Sequence, residues 1–212
     1  MITINEDNSI SKVWRKTLAT LLDSNQNADN KKYFRDSPAL ITLENSSHIE
    51  YDNLFPMGKK DLEIINNYIY SGENEELVVH EWTKIYHHRI FDQPNSQIEF
   101  MIKKLKEKLP TGESQISIWD KNIDQDSKIS PCTQILWARI KDDTLEWHTH
   151  AHSSDAYKKI FMNISEFVSL QYYVAKKVGV KPGKYIHFID SLHIHWKDLE
   201  RVKDTVKAFK SV

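Results

Sequence analysis

Apolar residues in this chain repeat with two different periods, and the change from one to the other falls near residue 110. Before that point the spacing is mostly helical. Val13-Trp14 to Leu21-Leu22 predicts a short helix. Leu62, Ile65 and Ile69 predict another over Asp61 to Tyr70, with Ser71-Gly72 as its stop. A further helix is expected from about Leu77 to Ile85. Another is expected from Gln97 to Leu109, with Ile98, Met101, Ile102 and Leu105 on one face and Pro110 ending it. The exception in this half is Ala39-Leu40-Ile41-Thr42-Leu43, a short apolar run closed by Asn45-Ser46-Ser47, which reads as a strand.

Beyond Pro110 the pattern turns to sheet. Gln115 to Trp119 alternates, Ile135 to Ile140 is strand-like, and Leu145 to His152 alternates again. Lys141-Asp142-Asp143-Thr144 joins the last two as a hairpin turn, which puts Cys132 just before one strand and His152 at the end of its partner. Phe161 to Val178 is the most apolar helix, with Gly179 where it would stop, and Tyr185 to Ile189 predicts one more strand. The fold class is therefore α+β, a mixed or antiparallel sheet packed by one long buried helix. No repeat or low-complexity linker divides the chain, so residues 1–212 read as a single domain, of which 1–36 carry only one apolar-periodic patch.

Composition narrows the function classes. A chain of 212 residues, 40% of them hydrophobic, can bury one good core. A formal charge of -1, from 29 basic and 30 acidic side chains, gives no electrostatic footprint for nucleic acid or an anionic membrane. One cysteine excludes an internal disulfide framework, and the polar start Asn5-Glu6-Asp7-Asn8 lacks the apolar run of a signal peptide. No stretch has the length of a membrane span. A cytoplasmic setting is expected.

The candidate chemistry lies between Pro131 and Trp196, where the lone thiol of Cys132 is followed by several histidines, Ser153, Asp155 and Asn163. Pro131-Cys132, Ser153-Ser154-Asp155-Ala156-Tyr157, Phe161-Met162-Asn163, Gly179-Val180, Tyr185-Ile186-His187 and Ser191-Leu192-His193-Ile194 resemble the thymidylate synthase family, in the style of its short archaeal branch. The resemblance is specific from about Trp119 to Glu200. It implies that Cys132 is the nucleophile that adds to C6 of a pyrimidine, so that C5 attacks methylenetetrahydrofolate. That chemistry needs a thiolate, with its pKa lowered by positive charge or backbone donors. The resemblance further makes Asn163 the carboxamide that reads the pyrimidine edge, and asparagine there favours a uracil-type ring. It gives Ser153 to phosphate, His193 to the ribose hydroxyl, and Asp155 to the folate. It also implies a thymidylate synthase-like fold and a homodimer.

Several positions depart from the family pattern. His152 stands in place of an arginine, His195 in place of a tyrosine, and Gly112-Glu113 in place of the paired arginines of a partner subunit. Leu43 to Tyr51 contains no arginine either. Each charge-assisted hydrogen bond contributes roughly 1.5 to 3 kcal/mol, so losing several weakens phosphate binding by about a thousandfold or more. A family glutamate falls at Ile65, with Glu63 on a different face, and a family tyrosine falls at Trp82, which is counted with Asp155 on the folate side. The expected function is methylation or hydroxymethylation at C5 of a phosphate-poor or non-standard pyrimidine nucleotide, nucleoside or base. Two other classes stand beside it. One is a binding protein that kept the fold and lost turnover. The other is a metal site on His148, His150 and His152, which alternate and so share one strand face, as do His193 and His195.

Overall fold

In the computed structural model, which describes residues 1–6, 8–24, 31–46, 49–92, 94–107, 112–128 and 130–210, the alternating stretches pair into one six-stranded mixed sheet. Its strands are Ile2–Glu6 (β1), Tyr33–Leu43 (β2), Gln115–Ser117 (β3), Thr133–Lys141 (β4), Thr144–Asp155 (β5) and Lys181–His195 (β6), in the order β1-β2-β6-β5-β4-β3. The β1–β2 and β5–β6 pairs are parallel and the others antiparallel. The helices are Ile10–Asp23 (α1), Lys59–Ser71 (α2), Glu81–Phe91 (α3), Gln97–Lys106 (α4), Lys121–Asp124 (α5), Ile160–Val178 (α6) and Leu199–Lys210 (α7).

The sheet is longer than the sequence pattern predicts. Strand β2 begins at Tyr33 rather than Ala39, because Pro38, which has no N–H to give, falls where the β2–β6 register shifts between Ser37 and Ala39. Strand β6 continues past Ile189 to His195. Asp190 and Ser191 interrupt its alternation, but β2 and β5 flank it on both sides, and Ser191 Oγ donates to Asp36 Oδ1 at 2.8 Å. The helix expected from Leu77 to Ile85 starts instead at Glu81. Leu77 and Val79 are 50% and 74% exposed, so the apolar count there marks a short 3-10 turn at Glu75–Leu77 and an extended His80. Helix α4 is defined to Lys106, and its expected stop at Pro110 lies outside the described residues. β1, α5 and α7 were not anticipated.

Helix α6 connects the parallel pair β5–β6, a link that requires a crossover. It ends at Gly179, whose φ of 86° is one that residues with a Cβ rarely adopt, and the Gly179 N–H donates to Ala175 O. Most of its residues are buried, polar ones included. Ser169 Oγ donates to Ser165 O, Asn66 Nδ2 donates to Ser165 Oγ, and Gln171 Nε2 donates to Leu145 O, so these three buried polar residues are met by partners. Trp14 of α1 ties the N-terminal side of this helix down. Its indole Nε1 lies 3.1 Å from Ala156 O and 3.3 Å from Tyr157 O, and its ring packs on Phe55 and Phe161.

Asp52 anchors the segment after β2 to α1. Its buried carboxylate accepts from Arg15 Nε at 2.7 Å, from Leu54 N at 2.9 Å, and from Ser11 Oγ. Burial pushes its pKa up, but these donors outweigh burial and hold it below the ordinary 3.8. A carboxyl with a depressed folded pKa stabilises the fold above its unfolded pKa, and that contribution is lost as pH falls through the folded value. Asp52→Asn is expected to cost about 2–3 kcal/mol at pH 7 in urea unfolding, with the gap to wild type closing below about pH 4. A gap that stays constant with pH would contradict this account.

Candidate functional site

The register of the sheet gathers the candidate residues. Parallel pairing sets Asp155 of β5 opposite His193 of β6, with Ala156 N donating to His193 O at 2.9 Å. The β4–β5 pair brings His152 N within 3.0 Å of Cys132 O, and the next side chain, Ser153, donates from Oγ to Cys132 Sγ at 3.8 Å. A cavity of about 260 Å³ opens where these strand ends meet the first turns of α6. Cys132, Ser153, Asp155, Asn163, His193, His195 and Trp82 all line it, and His152 does not.

Several wall residues have settled geometry. Asp155 divides its carboxylate: Oδ1 accepts from the N–H groups of Tyr157 and Lys158, capping the turn into α6, while Oδ2 lies 3.7 Å from His195 Nε2. His193 stacks on Tyr33 at 3.9 Å between ring centroids, and its Nδ1 lies 3.2 Å from Ser191 O. A carbonyl accepts only, so Nδ1 carries the proton and Nε2 is the acceptor, and burial holds the ring's pKa below 6.5. Asn163 is buried in the first turn of α6, and its carboxamide makes no hydrogen bond among the described residues. His152 is turned to Gln134, whose amide Nε2 donates to its Nδ1 at 3.0 Å and also to Pro131 O at 2.9 Å, fixing the backbone beside Cys132. Trp82 Nε1 donates to Ser130 O at 2.9 Å, which leaves the indole face on the cavity wall.

The thiol does not have the depressed pKa that the sequence reading requires. Burial raises it above the ordinary 9.0, and the Ser153 hydroxyl and the Lys159 ammonium bring it only part of the way back. In the resting protein Cys132 is a thiol, and Lys159 is the cation nearest in effect to its thiolate.

Lys159 was not anticipated, nor were Tyr86, Tyr33, His80 and Glu166. Lys159, the N-cap of α6, precedes Asn163 and Glu166 of that helix at spacings of i, i+4 and i+7, a spacing present in the sequence and obscured by the apolar residues around it. Tyr86 lies one turn after Trp82 on α3 and also lines the cavity. Its hydroxyl accepts from Thr133 N at 3.4 Å, and burial raises its pKa. Glu166 is completely buried, accepts from Thr83 Oγ1 at 2.9 Å, and has its pKa pushed up by burial to about 8. No arginine is among the described lining residues; Arg15, Arg89 and Arg139 pair with Asp52, Asp124 and Glu146.

The alternating histidines of β5 take separate partners. His148 Nε2 lies 2.9 Å from Glu146, His150 Nε2 lies 2.9 Å from Asp190, and His152 bonds Gln134. Among the described residues no group of three His, Cys, Asp or Glu side chains is arranged to hold a metal ion.

The family model for thymidylate synthase matches residues 45–210, well over half of the chain. The chain belongs to the thymidylate synthase family. Two archaeal relatives match over most of their length. A "Putative thymidylate synthase" of Methanocaldococcus jannaschii is 28% identical over 181 residues, covering 80% of this chain and 78% of that protein. One of the same name from Methanococcoides burtonii is 26% identical over 205 residues, covering 94% and 93%. The thymidylate synthase of Mycoplasma pneumoniae is 31% identical over 88 residues, covering 42% of this chain and 31% of that protein. In this thymidylate synthase family member every cavity residue named above except Tyr33 lies inside the matched span. No helix among the described residues is long and apolar enough to cross a membrane.

Since the chain has one cysteine, alkylation reads the Cys132 thiolate directly. Lys159→Met removes the cation that lowers the thiol pKa, so iodoacetamide labelling at pH 7.5 is expected to slow by about three- to tenfold. An unchanged rate would remove Lys159 from the account of this thiol.

Proposed function

We propose that this protein transfers a one-carbon unit from methylenetetrahydrofolate to C5 of a uracil-type pyrimidine, through a covalent bond between Cys132 and C6. The observation that carries the reading is one cavity with Cys132 on its β4 side and the unbonded carboxamide of Asn163 on its α6 side. A nucleophile and a group able both to donate and to accept are what addition to a pyrimidine and reading of its edge require. In this reading Ser153 takes a phosphate where one is present and His193 the ribose hydroxyl, with His195 beside it and His152 acting from behind through Gln134.

Among the described residues the cations of the wall are Lys32 and Lys159, without an arginine fork. This favours a nucleoside, a base or a nucleotide held weakly through phosphate. The cofactor donor set fits the folate: Asp155 Oδ2 is outside the α6 cap and can accept from an amide or amine edge, and the Trp82 indole offers a flat ring. The folate supplies the carbon, and Tyr86, rather than Trp82, is the phenol beside Cys132. Methylation and hydroxymethylation share these opening steps.

A homodimer is part of the proposal. Leu40, Phe188, His150 and Ile135 form one cross-strand row, and Ile186, His148 and Trp137 the row beside it, giving an apolar and imidazole face of half-buried side chains.

Intact mass after incubation with 5-fluorouracil, 5-fluoro-2′-deoxyuridine or its 5′-monophosphate, each with methylenetetrahydrofolate, tests the reading. The expected result is a covalent adduct absent from Cys132→Ala, with the monophosphate no better than the nucleoside. No adduct with any of the three favours the alternative, a binding protein without turnover, which the raised thiol pKa motivates. Asn163→Asp is expected to cut adduct formation with the uracil-type ring by about tenfold or more, since an ionised carboxylate cannot donate.

A further inference from the structure

Behind the cavity wall, a row of three side chains is open at both ends. Glu166 Oε2 accepts from Thr83 Oγ1 at 2.9 Å, and Thr83 Oγ1 lies 3.1 Å from His80 Nδ1. His80 is part of the cavity wall. Its Nε2 and Glu166 Oε1 are both buried and have no hydrogen-bond partner. A hydroxyl carries a single proton, so the row has two self-consistent arrangements. With Glu166 ionised, Thr83 donates to the carboxylate, His80 Nδ1–H donates to Thr83, and Nε2 is a bare lone pair. With Glu166 protonated, the carboxyl donates to Thr83, Thr83 donates to Nδ1, and Nε2 carries the proton.

We propose that Glu166, Thr83 and His80 form a proton relay that stores one proton behind the wall and exchanges it with a carbonyl oxygen of the bound pyrimidine. This rests on the reading of the cavity as the place where Cys132 adds. The Cys132 thiol first gives its proton to bulk water, and addition of the resulting thiolate forms the Sγ–C6 bond, breaks the C5–C6 π bond and moves that electron pair onto the conjugated carbonyl oxygen; after elimination the thiolate takes a proton back from water. That oxygen takes the proton from His80 Nε2, His80 Nδ1 takes the Thr83 proton, and Thr83 takes the Glu166 proton. Elimination runs each transfer backward, so atoms and charge balance over the cycle.

The surroundings suit a store of this kind. The groups facing Glu166 are Thr83 and Tyr86 from α3, Lys159 at the N-cap of its own helix and Tyr185 from β6. Burial pushes Glu166 up to about 8, against the pull of Thr83 and Lys159, so it holds its proton at neutral pH. Burial lowers His80 to about 3, so its ring stays neutral and responds by exchanging tautomers rather than by charging. Both tyrosines are pushed above their ordinary range and stay neutral as well.

The test is the ¹⁵N spectrum of the His80 imidazole between pH 6 and 10 in the ligand-free protein, assigned with His80→Gln. The expected result is an Nε2–H tautomer at low pH that converts to Nδ1–H with a midpoint near 8. Glu166→Gln and Thr83→Val are expected to abolish the conversion, and Thr83→Ser to keep it. A tautomer fixed across the range in wild type, or a conversion that survives Glu166→Gln, overturns the relay. If a variant fails to fold, the wild-type titration still decides. The transfer step is read with 5-fluoro-2′-deoxyuridine: Thr83→Val is expected to slow adduct formation by about a hundredfold, and Thr83→Ser to leave it near wild type. Equal slowing in both overturns delivery. A titrating His80 without any fluoropyrimidine adduct in wild type overturns the reading of the cavity instead.

Discussion

The structure depends on burying a helix that is not wholly apolar. Helix α6 lies inside the protein along most of its length, yet it carries Asn163, Ser165, Glu166, Ser169 and Gln171 among its buried residues. An unpaired buried polar group costs about 1–3 kcal/mol, so each of these has to find a partner or a purpose. Ser165, Ser169 and Gln171 find partners, and the Gln171 amide fastens the helix to Leu145 O at 2.7 Å and to Gly183 O at 3.3 Å, at the far end of the β5–β6 pair. The polar groups left without full satisfaction are at the N-terminal end, Asn163 and one oxygen of Glu166, and that is the end at the cavity. The helix is bonded firmly where it is structural and kept open where chemistry can occur.

The sheet supplies the second constraint. A parallel pair with its crossover helix brings the carboxyl ends of β5 and β6 to the same side as the first turn of α6. His193 therefore meets Asp155 and Lys159 although it is far from them in sequence. The antiparallel β4 then adds Cys132 from the opposite direction, and Gln134 clamps the thiol's backbone against His152. Ligand crevices of α/β sheets form outside the carboxyl ends of parallel strands for the same geometric reason.

How much of this could be read from the sequence follows from which signals are local. The long helix, its glycine stop and the β4–β5 hairpin were legible because their periodicity and turn chemistry lie within the segments themselves. The start of β2 and the end of β6 were not, because Pro38, Asp190 and Ser191 break the local pattern while pairing on both flanks carries the strands through. Helix α3 was misplaced because Leu77 and Val79 are exposed apolar residues, which periodicity counts as core. Cys132, Asn163 and Asp155, singled out by resemblance, line one cavity. Lys159 and Glu166 were hidden, because a charged residue inside an apolar helix reads as solvent-facing until the packing shows no solvent there. The thiol's pKa was misjudged for the same reason, since sequence does not show desolvation.

Lys159 ties the proposed relay to the nucleophile. Its charge acts on both Cys132 and Glu166, and in a buried cavity one ammonium favours one anion far more than two. A Glu166 that holds its proton leaves Lys159 to the thiolate as that forms. When the sulfur bonds to the ring, its charge passes to the ring oxygen, and the relay carries the charge on to Glu166 by returning a proton. At each stage Lys159 faces one negative charge besides the Asp155 carboxylate, so no step adds two buried anions at once. Moving the carboxyl onto α6, at i+7 from the lysine and behind a threonine and a histidine, makes this possible while α2 contributes only the buried Ile65 where a glutamate was expected.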